Sequence, residues 1–258
     1  MRALAAVMML ALGFSTASAE VRTKVVEYKQ GDTALEGFLA WDDGLKGPRP
    51  GVLVVHEWTG LGKYAQSRAE QLAKLGYVAF AADIYGKGVR PSTPEEAGKT
   101  AGIYKSDRAL TRARVKAALA QLLANGDVDP KHVAAIGYCF GGMVVLELAR
   151  SGADVAGVVA FHGDLSNPNP DDDRNIKCKV LALQGGDDPF VTTKDVEAFE
   201  GRMRAAGVNW QVNQYGGAVH SYTNPDSGND NSKGAAYNAQ ADHRSWEAMK
   251  AFFAEIFR

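Results

Sequence analysis

The sequence predicts an α/β fold, with a largely parallel sheet covered by helices on both faces and an antiparallel pair of strands at its N-terminal edge. Two observations predict it. From Gly51 onward, short apolar runs of strand length alternate with segments of helical periodicity. Within that alternation, Gly137-Tyr138-Cys139-Phe140-Gly141-Gly142 follows the apolar run Val133 to Ile136 and opens onto a helix-like stretch. Strand, sharp turn and helix thus succeed one another with a cysteine at the apex.

Taken in order, Val21 to Tyr28 and Ala34 to Ala40 precede the alternation and read as the edge pair. Val52 to Val55 is apolar at every position, as a strand buried on both faces must be. Tyr64 to Leu75 has the spacing of an amphipathic helix stopped by Gly76, and Tyr77 to Ala82 is the next strand. Gly86 to Ser106 breaks the rhythm with Gly-Lys-Gly, Arg90-Pro91 and Pro94-Glu95-Glu96. Lying after a strand, it is either a flap over a ligand crevice or a solvated connection with a short helix. Arg108 to Ala124 is a long helix ending at Asn125-Gly126, Val133 to Ile136 a strand, and Met143 to Arg150 the helix after the turn. Val155 to Phe161 and Val180 to Leu183 are strands separated by a polar loop, Asn167 to Asn175, whose acidic run reads as solvated surface. Thr193 to Ala206 is a helix, Val208 to Gln214 the last strand, and Ala239 to Phe257 the closing helix, after the polar loop Asn224 to Lys233. No repeat or linker marks a second domain, so residues 20–258 read as one.

Before that domain, Arg2, an uncharged run from Ala3 to Phe14, and Ala17-Ser18-Ala19 ahead of Glu20 have the three parts of a secretory signal peptide. The run is shorter than the roughly 20 residues a bilayer span takes. Residues 1–19 are therefore expected to be removed, leaving a periplasmic or secreted protein with no membrane insertion. The 29 basic and 30 acidic residues give a formal charge of −1, which points to neither nucleic acid nor anionic membranes.

The turn at Cys139 puts its sulfur at a helix N-terminus, where free N–H groups and the helix dipole favour a thiolate. An inert packed cysteine is the plain alternative. A disulfide with Cys178 is not expected, because the two lie at opposite ends of parallel strands, on the order of 17 to 20 Å apart, and a disulfide needs Cα atoms within about 7 Å. A thiol nucleophile needs a base, a group to orient the base, and donors for an oxyanion. Asp187 and Asp188 follow one strand and His220 follows another, on the edge that carries Cys139. The order Cys, Asp, His is the order used by α/β-hydrolases. His132 and His243 read as structural or exposed, whereas His56 and His162 fall near strand ends where they could line a pocket. No pair among these groups has the short spacing of a metal site, and no cofactor is called for.

With these motifs in hand, the chain resembles the dienelactone hydrolase family of α/β-hydrolases. The likeness rests on the turn at Cys139, His56-Glu57-Trp58-Thr59-Gly60, Ala82-Asp83-Ile84-Tyr85-Gly86, Gly186 to Val191, and His220-Ser221-Tyr222-Thr223-Asn224-Pro225, in that family's order. It implies Cys139 as nucleophile, His220 as base and Asp188 as the residue orienting it, since the family's acid stands before an x-Phe-Val sequence. Asp187 is the fallback. It further implies an oxyanion hole from the N–H groups of Trp58 and Phe140, and a Glu57 that contacts the resting thiol. Family members acting on dienelactones hold a substrate carboxylate with two arginines. Here the corresponding neighbourhoods offer Lys87 and Arg90, and Asn224 in place of a cation. The expectation is a hydrolase of a small, less charged ester or lactone working through a thioester. A non-catalytic ligand-binding protein and a redox-responsive thiol on the same fold are the alternatives.

Overall fold

Successive residues of a strand face opposite sides of a sheet, and in one central strand the run Val52 to Val55 has no polar side chain on either. Val52 and Val54 pack into one apolar layer and Leu53 and Val55 into the other, all fully buried. In the computed structural model, which describes residues 20–258, this strand is β3 (Arg49–Val55) of an eight-stranded sheet. The expected signal peptide, residues 1–19, lies outside the described residues. The other strands are β1 (Val21–Gln30), β2 (Thr33–Asp42), β4 (Val78–Ala82), β5 (Val128–Tyr138), β6 (Gly157–Phe161), β7 (Lys179–Gly185) and β8 (Trp210–Tyr215). Their order across the sheet is β1-β2-β4-β3-β5-β6-β7-β8. The β1–β2 and β2–β4 pairs are antiparallel and all others parallel, so the C-terminal ends of β3 to β8 share one rim.

Helices α1 (Lys63–Lys74) and α6 (Ala239–Ile256) cover one face. On the other lie α2 (Pro94–Ser106), α3 (Arg108–Leu123), α4 (Phe140–Arg150) and α5 (Thr193–Ala206). This is the layered arrangement the sequence predicts, and three boundaries differ for physical reasons. The irregular stretch after β4 resolves into α2, a full helix with Pro94 in its first turn. Thr93 caps it, its hydroxyl accepting from Glu96 N at 3.2 Å. Ala97, Ala101 and Tyr104 bury one side of it. Strand β5 begins at Val128 rather than Val133. Its register with β3 shifts between Pro50 and Gly51, so that Pro130 to His132 bulge out where a proline has no N–H to give the ladder. Helix α4 begins at Phe140, not Met143, because its first turn must pass close to β3. A Cβ on Gly141 would sit 2.3 Å from the Val55 oxygen.

The far end of α4 is tied down by charge. Arg150, wholly buried, donates to Asp173 Oδ1 at 2.8 Å, to Glu147 Oε1 at 3.0 Å and to the Ser166 carbonyl at 3.1 Å. Arg112 of α3 reaches Glu147 at 2.7 Å, and Arg202 of α5 reaches Asp173 at 3.2 Å. Among the described residues no helix is long and apolar enough to cross a membrane.

Candidate active site

Cys139 stands between β5 and α4 with φ +53° and ψ −112°, a left-handed conformation that costs a residue with a Cβ about 1–3 kcal/mol. Two glycines make the bend possible. A Cβ on Gly137 would lie 2.0 Å from the Gly141 oxygen, and one on Gly141 would strike β3. Among the described residues, the non-glycine positions with positive φ are Cys139, His162 and Ser221, and all three stand at the rim where β5, β6 and β8 end. Strain gathered in this way is characteristic of functional sites.

His220 reaches the rim from the loop after β8. Its backbone is clamped by the segment beyond it: His220 N donates to Gly234 O at 3.1 Å and Ala236 N donates to His220 O at 3.0 Å. The Nδ1 of its ring lies 2.8 Å from Oδ2 of Asp188. The other carboxylate oxygen of Asp188 accepts from Phe190 N at 2.8 Å and Val191 N at 3.1 Å, which fixes its orientation. Asp187 is exposed and accepts instead from Gly217 N at 3.0 Å, so Asp188 is the carboxylate that His220 engages. Burial opposes a charge on the His220 ring. The nearby Cys139 sulfur and the Asp188 carboxylate outweigh it and hold the imidazole up at about 10. The His220 ring is thus bonded to Asp188 through Nδ1 and has the Cys139 sulfur as a close neighbour. Among the described residues, the Phe140 and Trp58 N–H groups have no acceptor in the protein.

Glu57 follows β3 and is partly buried. Its carboxylate accepts from Asn224 Nδ2 at 2.6 Å and from Ser221 Oγ at 3.3 Å, rather than from the thiol that the resemblance implies. Burial pushes its carboxyl above the usual range. Glu57, Trp58, Lys63, Ser221, Asn224 and Asp226 are among the residues lining a cleft of about 390 Å³.

Each of the four residues expected to contact substrate has partners within the protein, and Asn224 is the one of them that lines this cleft. Lys87 pairs with Glu27 at 2.5 Å on an exposed edge. Arg90 donates to the carbonyls of Leu61 and Val89, held by the turns around it. Asn224 is engaged by Glu57, and His162 is wholly buried with both ring nitrogens bonded. Lys63 at the start of α1 was not legible as a site residue, its only signal being that it opens the helix after the Glu57 loop.

His56 is buried as a neutral ring. Its Nδ1 lies 2.6 Å from the Glu57 carbonyl and its Nε2 accepts from Ile84 N, so it ties the ends of β3 and β4 together while also contributing to the wall of the cleft. Burial pushes it down to about 4. Its folded pKa lies below the unfolded value, so its stabilisation is complete above about pH 6.5 and is lost as pH falls towards 4, roughly 3 kcal/mol in all. His162, lowered by burial and by the facing His220, acts in the same direction. The melting temperature is therefore expected to fall steadily between pH 6.5 and 4, and a constant value across that window would contradict the neutral burial of both rings.

Both cysteines are free, and burial pushes Cys178 up to about 12. No cluster of three or more His, Cys, Asp or Glu suited to a metal ion occurs among the described residues.

A parallel sheet with an antiparallel edge, a strained strand–helix turn at Cys139 and a histidine–carboxylate pair on the same rim define the class: an α/β-hydrolase. The model of the dienelactone hydrolase family matches residues 35–257, and the chain belongs to that family of ester and lactone hydrolases. It is 28% identical to a putative carboxymethylenebutenolidase of Synechocystis over 249 residues, 91% of this chain and 97% of that protein. It is 28% identical to the protein usf of Aquifex pyrophilus over 237 residues, 90% and 98% of the two chains. Among solved structures it superposes with a TM-score of 0.89 on m3DLH, at 40% identity over 92% of this chain and 99% of the other. It also superposes at 0.89 on a dienelactone hydrolase-like promiscuous phosphotriesterase from metagenomic libraries, at 42% identity over 93% and 100%.

Proposed function

We propose that this chain hydrolyses a small, uncharged ester or lactone with Cys139 as nucleophile. The observation that carries the reading is the 2.8 Å contact between His220 and Asp188 on a ring whose other side meets the Cys139 sulfur. The thiolate attacks the acyl carbon, and the oxyanion that forms is met by the N–H groups of Trp58 and Phe140. Collapse breaks the bond to the alkoxy oxygen, which takes its proton from His220, and leaves a thioester on Cys139. Water then attacks the thioester, giving its proton to His220, and releases the acid. The chain's own side chains suffice for each step. A two-cation clamp for a substrate carboxylate is missing, because Lys87 and Arg90 are both engaged elsewhere and Asn224 carries no charge, and the cleft's Lys63 shares it with the carboxyls of Glu57 and Asp226.

Incubation with a slowly deacylating aryl ester is expected to add the acyl mass to the Cys139 peptide. Hydrolysis with that peptide unmodified at every time point would remove sulfur from the mechanism. A binding protein predicts neither event, and a redox-responsive thiol predicts oxidation without turnover.

The 42% identity to a phosphotriesterase supports a second activity, attack of the same sulfur on the phosphorus of an activated aryl phosphotriester. Assaying aryl phosphotriesters beside lactones, aryl esters and thioesters ranks the two. The reading includes residues 1–19 as a signal peptide, so the exported protein begins near Glu20, which N-terminal sequencing checks.

A further inference from the structure

Of the three histidines at or behind the rim, His162 is the one that touches the nucleophile's backbone, and the hydrolysis steps make no use of it. We propose that His162 is a positioning residue for Cys139. Its unprotonated Nδ1 accepts the N–H at the apex of the elbow, and a buried polar chain reaching α6 fixes the tautomer that makes this possible.

His162 follows β6, wholly buried, with φ +39° and its own N–H donated to Leu183 O at 2.7 Å. The N–H of Cys139 lies 3.0 Å from Phe161 O and 3.2 Å from His162 Nδ1, a donor shared by two acceptors. Because Nδ1 receives a proton there, the ring carries its single proton on Nε2, which lies 2.7 Å from Thr223 Oγ1. The same oxygen accepts from the Tyr64 hydroxyl at 2.6 Å. Arg68 Nε donates to that hydroxyl at 3.2 Å, and its Nη2 donates to Thr223 O at 2.8 Å and to Asp242 of α6 at 2.5 Å. The elbow is thus bonded through three side chains, His162, Thr223 and Tyr64, to a guanidinium–carboxylate pair on the opposite helix layer.

The ring also stands edge-on to His220, centroids 5.2 Å apart at 68°, with Tyr138 and Tyr222 on its other sides. A neutral ring at that place tolerates a charged His220, and a second imidazolium would repel it.

The test needs no substrate: it is the rate at which iodoacetamide alkylates Cys139 in the whole protein, followed against pH. Cys178, buried and pushed up to about 12, does not compete. His162→Phe keeps the ring and removes the acceptor, and is expected to slow alkylation at pH 7 about tenfold, the worth of one such bond, and to shift the profile to higher pH. His162→Asn places an amide oxygen near the Nδ1 position and is expected to stay within about threefold of the parent. Equal rates in all three folded proteins, with only the melting temperature changed, would reduce His162 to packing, as would an Asn variant as slow as the Phe one. If the ring variants do not fold, Thr223→Val and Thr223→Ser carry the comparison. Valine is expected to slow alkylation and serine to preserve it, and matching rates would overturn the proposal. Failure of every ester to be hydrolysed would sink the hydrolase reading and leave these rates to decide this one.

Discussion

Cys139→Ala is expected to abolish measurable hydrolysis of an activated aryl ester, a loss of more than about 10³-fold, while the melting temperature changes little. The loss follows from the site's division of labour, since an alanine leaves His220 and Asp188 paired with nothing for them to activate. Little change in stability is expected because the bend is imposed by neighbours. Gly137 and Gly141 admit the close passage of β5 and α4, and the left-handed backbone at 139 is as accessible to alanine as to cysteine. Steady-state rates and a thermal melt of the same preparation check both halves. Retained turnover in a folded alanine variant would overturn the nucleophile assignment.

Asp188→Asn is expected to be nearly as damaging, with a loss of about 10⁴-fold in kcat by analogy with the same exchange in serine hydrolase constellations. The amide can still accept from Phe190 N and Val191 N through its oxygen, so the loop after β7 keeps its shape. The group it then turns to His220 is a donor, and the ring answers by placing its proton on the nitrogen facing the sulfur, where a base is wanted. The exposed Asp187 supplies the control. Asp187→Asn removes one acceptor for Gly217 N and should leave kcat almost unchanged. Equal losses in the two variants would point to disturbance of the shared loop and not to the imidazole partner.

The class of fold was legible because its signals are local. Val52 to Val55 must be buried on both faces, and the alternation beyond it leaves little choice of topology. The elbow was legible for the same reason, since glycine spacing and a strand–helix junction lie within six residues. What the sequence withheld is contact between distant segments. Nothing near Lys87 or Arg90 announces that Glu27 or the Leu61 carbonyl will engage them. The hydrogen bond from Asn224 to Glu57 joins residues 167 positions apart. His162 read as pocket lining because strand-end placement was visible and burial was not. Thr223 belongs to the His220–Pro225 motif, yet its hydroxyl meets Tyr64 and His162 only once the chain is folded. The stretch after β4 reads equally as flap or connection because Gly86 and Gly88 mask a helix start that the Thr93 cap supplies.

Arg150, Glu147 and Asp173 have a bearing on how such a molecule can diversify. They fasten the tail of the eleven-residue rod whose head presents the sulfur, in surroundings that cannot solvate an orphaned charge. Loops around the cleft can drift towards new ligands while that rod stays frozen. Lineages descending from this chain should therefore vary at the mouth and keep the ionic knot beneath it as a matched set.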